Sequence, residues 1–175
     1  MRRLMLLRHA KSDWSLPGMS DHNRDLAARG RKAAPLMGRY LAEHGMIPDH
    51  VIVSTAKRTR ETWRLVAGML PKIPPVDFED SIYEASPRDI LAAIADTPAS
   101  ARTLLVVGHN PGFQDTANLL VESGDKRMLK DLSQKFPTGA LAVIDLDIDD
   151  WPAIRPGSGR LASFVTPRAI GGGSD

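Results

Sequence analysis

The sequence contains no cysteine. That one absence removes disulfides, thiolate metal centres and cysteine nucleophiles together. Charge bias is missing as well: 23 Lys and Arg face 21 Asp and Glu, a net charge of +2. No broad basic surface therefore points to a nucleic-acid or membrane partner, and any functional positive charge must be a local cluster. Long apolar runs are also absent. The first, Leu4 to Leu7, is cut short by Arg8, too soon for a signal-peptide core or a membrane span. The five histidines show no zinc-like spacing and no acidic cluster suggests magnesium, so neither a metal nor another cofactor is expected. A cytoplasmic enzyme or binding protein is the expectation.

What is present is an ordinary globular composition, 42% hydrophobic and 25% charged over 175 residues. That suits one domain with a sizeable core, read here as residues 1–170 with a mobile tail, GGGSD, at 171–175. The pattern alternates strands and helices. Residues 3–8 read as a strand, and apolar residues recur at helical spacing over about 26–44, with Gly45 as a stop. Pro35 inside that segment marks either a kink or the true helix start. Residues 51–53 read as a second strand, with Thr55 able to cap a helix running to about Leu70. PKIPP then breaks the chain, and residues 76–78 suit a short strand. Ser86, Pro87 and Asp89 form a strong helix start, with the helix ending near Thr97. Residues 103–107 form an apolar strand, followed by GHNPG and a helix to about Ser123. A charged loop leads to two late strands, 140–146 and 161–165. This order predicts an α/β sandwich around a mostly parallel sheet, whose functional crevice lies at the carboxyl ends of the strands.

Three strand-to-helix junctions carry unusual side chains. The first ends in Arg8 and His9. The second, STAKRTRET, crowds Lys57, Arg58 and Arg60 into the first turn of a helix, where each cation is disfavoured by about 0.3–1 kcal/mol. Two readings stand: a solvated face partly offset by Glu61, or an anion site served by Arg58 and the helix amides. In the third, VVGHNPGF, Asn110 suits an N-cap and Pro111 the first helical position, presenting His109 at the helix start. Each junction alone is equivocal. Together they describe a pocket of guanidiniums and imidazoles suited to phosphate, where charge-assisted bonds are worth about 1.5–3 kcal/mol each. His22, His44 and His50 have no such company.

With these residues in view, the chain resembles the histidine phosphatase superfamily, and within it the short bacterial SixA-type phosphohistidine phosphatases. LLRHAKS, DHNRDLAARG, VIVSTAKRTRET, SIYEAS, LLVVGHNPG and FPTGALAV carry the resemblance in order, from Met1 to about Val143. It implies a three-layer α/β/α sandwich of the phosphoglycerate-mutase type. It implies His9 as a nucleophile that becomes phosphorylated, flanked by Arg8, with Arg24 and Arg58 as further phosphate ligands. His109 would be the second pocket histidine and Glu84 the proton donor. One departure stands out: Asp25 follows Arg24 where the family commonly has proline. The rival reading makes Arg24 a loop residue paired with Asp21 or Asp25. The implied activity is metal-independent dephosphorylation of phosphohistidine in proteins. The alternatives are a small-molecule phosphomonoesterase with the same site and a non-catalytic phosphate-binding protein. The loop over 11–25, broken by Pro17 and Gly18, is a poor lid, so an open pocket that admits a phosphorylated protein is expected.

Overall fold

Leu4, Met5, Leu6 and Leu7 are all completely buried, yet they serve two different cores. In strand β1 (Arg2–Arg8), successive side chains point to opposite faces. Leu4 and Leu6 join one core, Met5 and Leu7 the other. A strand covered on both faces has no polar side to show, which is why the run is continuous. Each such side chain contributes about 1.5–3 kcal/mol on burial.

The computed structural model describes residues 1–171, so most of the tail read at 171–175 lies outside the described residues. The chain continues through α1 (Ala28–Glu43), β2 (His50–Ser54), α2 (Lys57–Ala67), β3 (Val76–Glu79), α3 (Pro87–Ala95) and β4 (Thr103–Gly108). It closes with α4 (Gly112–Leu120), β5 (Val121–Gly124), α5 (Lys126–Gln134), β6 (Leu141–Leu146) and β7 (Gly159–Val165). The strands form one seven-stranded sheet in the order β3-β2-β4-β1-β6-β7-β5. β3, β2, β4 and β1 are parallel neighbours, whereas β6 runs antiparallel to both β1 and β7. Helices α1 and α2 cover the Met5 and Leu7 face through Met37, Leu41, Trp63 and Val66. Helices α3, α4 and α5 cover the other through Ile90, Ile94, Phe113 and Leu132. This is the expected single-domain α/β/α sandwich with a mostly parallel sheet.

Several boundaries differ from the sequence reading, each for a local reason. α1 runs unbroken through Pro35, because its packing on α2 outweighs one missing N–H. The α1–α2 contact is close enough that a Cβ on Gly38 would stand 2.5 Å from the Val66 carbonyl oxygen. Thr55 does not cap α2, whose N-cap is Ala56; its hydroxyl donates to Asp80 instead. α4 stops at Leu120, and residues expected to prolong it form edge strand β5, paired with β7. The expected charged loop contains α5, capped by Asp125, whose side chain accepts from the Arg127 and Met128 amides. The Ser86 cap is as read, with its hydroxyl accepting from Asp89 N.

Candidate active site

Two neighbouring strands end in register. Arg8 of β1 stands opposite Gly108 of β4, and the His9 amide donates to the Gly108 carbonyl. His9 and His109 therefore leave the sheet side by side, their ring centroids 5.4 Å apart. β2 flanks β4 on its other side, so its last residue, Ser54, reaches His109. A cleft of about 740 Å³ opens over these strand ends, lined among others by Arg8, His9, Lys11, Arg58, Glu84 and His109.

The hydrogen bonds assign a role to each ring nitrogen. His9 Nδ1 lies 2.7 Å from the Ala10 carbonyl oxygen. A carbonyl only accepts, so Nδ1 carries the proton and Nε2 keeps its lone pair. His9 is 6% exposed. Burial, joined by the nearby His109, Arg8 and Arg58, pushes its pKa down to about 3 against the opposing Ala10 bond, so the imidazole is neutral at pH 7. His109 is also driven down to about 3, by burial first and Arg58 second. An Arg58 N–H donates to its Nδ1 at 3.3 Å, which leaves Nε2–H to donate to Ser54 Oγ at 2.8 Å.

Arg58 is buried at the start of α2. Its Nη1 donates to the Asp21 carbonyl at 2.7 Å and its Nη2 to Asp21 Oδ2 at 3.0 Å. The hydroxyl of Tyr83 donates to the same Oδ2 at 2.5 Å. Partial burial alone would raise the Asp21 pKa, but the Tyr83 and Arg58 bonds outweigh it and hold the carboxyl below its usual range. Arg8 donates from Nη1 to the Phe136 carbonyl, which also accepts from Asn110 Nδ2. The Gly139 amide returns to the His9 carbonyl at 2.9 Å. The 136–139 loop thus braces both Arg8 and the His9 backbone. Asn110 does not cap α4 in the expected way; its Oδ1 accepts from Gln114 N, and the helix proper begins at Gly112.

Glu84 stands exposed at the cleft wall with φ +51°. A non-glycine residue held there costs on the order of 1–3 kcal/mol and needs a compensating reason. Arg24 is placed differently from the others. It does not line the cleft but stacks on Trp14, 4.0 Å from the ring centroid, and Trp14 is what faces the cleft. Arg24 Nε and Nη1 are buried without a hydrogen-bond partner among the described residues. The rival pairing is not seen either, since Asp21 holds Arg58 and Asp25 pairs with Lys57 at 3.4 Å.

The structure thus brings together Arg8, His9, Arg58, Glu84 and His109, and sets Arg24 behind a tryptophan. Sequence reasoning gave no part in the site to Ser54, Asp21, Tyr83, Asn110 and the 136–139 loop. The signal for Ser54 was present, a polar end to an apolar strand four residues before Arg58. Asp21 and Tyr83 lay inside segments already noted, with nothing local to mark them. Among the described residues, no three His, Asp or Glu side chains converge as a metal site, and no helix is long and apolar enough to cross a membrane.

The family model described as histidine phosphatase superfamily (branch 1) matches residues 4–90, a span that includes His9, Arg58 and Glu84 but ends before His109. An uncharacterized protein of Mycobacterium tuberculosis is 34% identical over 164 residues, covering 93% of this chain and 100% of that one. A structure assigned as a phosphohistidine phosphatase SixA from Nakamurella multipartitia is 31% identical and superposes with a TM-score of 0.79, covering 95% of this chain and 96% of that one. Its counterpart from Agrobacterium tumefaciens is 29% identical, also with a TM-score of 0.79, covering 95% and 98%.

Proposed function

The chain belongs to the histidine phosphatase superfamily, and we propose that it removes phosphate from phosphohistidine in proteins, with His9 as nucleophile and no metal ion. The observation that carries this reading is the His9 tautomer. Nδ1–H is committed to the Ala10 carbonyl, which leaves the Nε2 lone pair for attack. Nε2 attacks phosphorus, the P–Nε2 bond forms, and the substrate P–N bond breaks. Water then attacks phosphorus, the P–Nε2 bond breaks, and inorganic phosphate leaves His9 with its lone pair restored. Arg8 and Arg58, which line the cleft beside His9 and His109, would hold the transferring oxygens, the main task in phosphoryl transfer. Arg24 would join them only by displacing the Trp14 ring that covers it.

The test is a rapid-quench experiment with labelled phosphohistidine protein beside phosphoserine peptides and sugar phosphates. It should trap an acid-labile, alkali-stable phosphoramidate on His9, unaffected by exhaustive chelation. His9→Ala should lose about 10³-fold or more in rate, as removal of a covalent nucleophile does. Acid-stable label would refute the intermediate, and revival by magnesium alone would refute metal independence.

Glu84 at the cleft wall favours a second reading, a phosphomonoesterase. A phosphohistidine P–N bond transfers readily, whereas an ester oxygen leaves well only with a proton, which a carboxylic acid supplies. A strong preference for one small ester, with proteins untouched, would decide for this alternative.

A further inference from the structure

We propose that Asp21 is the positioning residue of the site, one side chain that fixes Arg58 and ties the Glu84 loop to it through Tyr83. The inference rests on the phosphoryl-transfer reading above. Arg58 is the second residue of α2, in the first turn at the positive end of the helix dipole, and is only 7% exposed. A buried guanidinium in that place needs a counter-charge. Asp21 supplies it from the loop between β1 and α1, grasping the fork twice, by carbonyl and by carboxylate, at 2.7 and 3.0 Å. Two-point contact fixes the plane of the guanidinium as well as its position. That plane in turn aims an N–H at His109, so the Asp21 grip reaches the second histidine as well.

The same carboxylate oxygen accepts from Tyr83, the residue before Glu84. The Tyr83 ring stands edge-on to His109 at 5.5 Å. Partial burial and the Asp21 bond raise the phenol to about 12, so it remains a donor throughout the working range. The phosphate grip and the acid loop thus share one anchor. With its charge met by Arg58 and the Tyr83 hydroxyl, the carboxylate can line a phosphate cleft without opposing its ligand.

Asp21→Asn tests this, because it keeps the shape and removes the charge. Loss of one charge-assisted bond should lower kcat/KM and weaken orthovanadate binding, each by about 10–100-fold, with a lowered melting midpoint but a retained cooperative fold, since Arg58 loses its counter-charge. In an Arg58→Gln background the same change should cost less than about threefold, since a residue acting through Arg58 has nothing left to position. Tyr83→Phe should spare vanadate binding and slow only substrates with poor leaving groups. Wild-type kcat/KM in Asp21→Asn, an undiminished loss in the Arg58→Gln background, or an Asp21→Asn variant that does not fold would each overturn the assignment. Should the wild type form no phosphoenzyme, the functional reading fails, while the vanadate comparison still tests Asp21.

Discussion

A histidine becomes a nucleophile when its second nitrogen is occupied and its ring is kept neutral, and His9 meets both conditions through one carbonyl and deep burial. Neither condition is written locally in LLRHAKS. What was legible was the position, Arg8 and His9 at the end of an apolar run. The strand register that brings His109 beside them depends on residues a hundred positions away. The placement of Arg24 was not legible for a similar reason, because Trp14, the ring it stacks on, sits on a loop with no periodicity to place it. Glu84 offers a test at this scale. Its left-handed backbone is strained, so Glu84→Gly should raise stability by about 0.5–1 kcal/mol, strain relief less the greater chain entropy of glycine. The same variant, like Glu84→Gln, should slow hydrolysis of phosphoesters with poor leaving groups far more than that of activated aryl phosphates. Urea melts beside a leaving-group series would show both. Equal loss on all esters would leave Glu84 as a shaping residue only.

At the scale of elements, the parallel half of the sheet and its helices were readable because each strand is a short apolar run ended by a recognisable turn. Ser86 with Pro87 marks α3 through local chemistry alone. β5 and α5 were missed. β5 owes its strand state to pairing with β7, a tertiary effect that outweighs the helical drift of the preceding residues. α5 is short and charged and buries only Leu132 fully; Met128, Leu129 and Leu132 do stand at helical spacing, but the surrounding charges read as a loop. Among the helix contacts, the close approach of α1 to α2 makes the sharpest prediction. Gly38→Ala would drive a methyl group onto the Val66 carbonyl, and overpacking of this kind costs about 1–3 kcal/mol. Because α2 carries Arg58, vanadate affinity should fall along with the melting temperature. A variant less stable but with unchanged vanadate binding would show that the strain is absorbed away from the site.

For the molecule as a whole, both site histidines link folding to pH. Their native pKa values lie near 3, whereas free histidine titrates near 6.5. Between these values the unfolded chain binds more protons than the native one, so stability is full above about pH 6.5 and declines as the pH falls toward 3. The Asp21 carboxyl, held low, acts in the same direction. Urea midpoints at pH 7, 5 and 4 should therefore fall steadily, and His9→Asn should make the slope shallower. An identical slope in that variant would mean His9 does not contribute. The arrangement of strands has a consequence for change over time. His9 and His109 hang from adjacent strands in the middle of the sheet, where amide exchange demands nearly global opening. Trp14, Leu16 and Met19 lie exposed on the loop that connects β1 to α1. On the proposed reading, the chemistry would lie in the least exchangeable part of the protein, and the choice of what enters in a more replaceable one. Grafting a foreign sequence over residues 13–20 should redirect substrate preference while the phosphoenzyme still forms on His9.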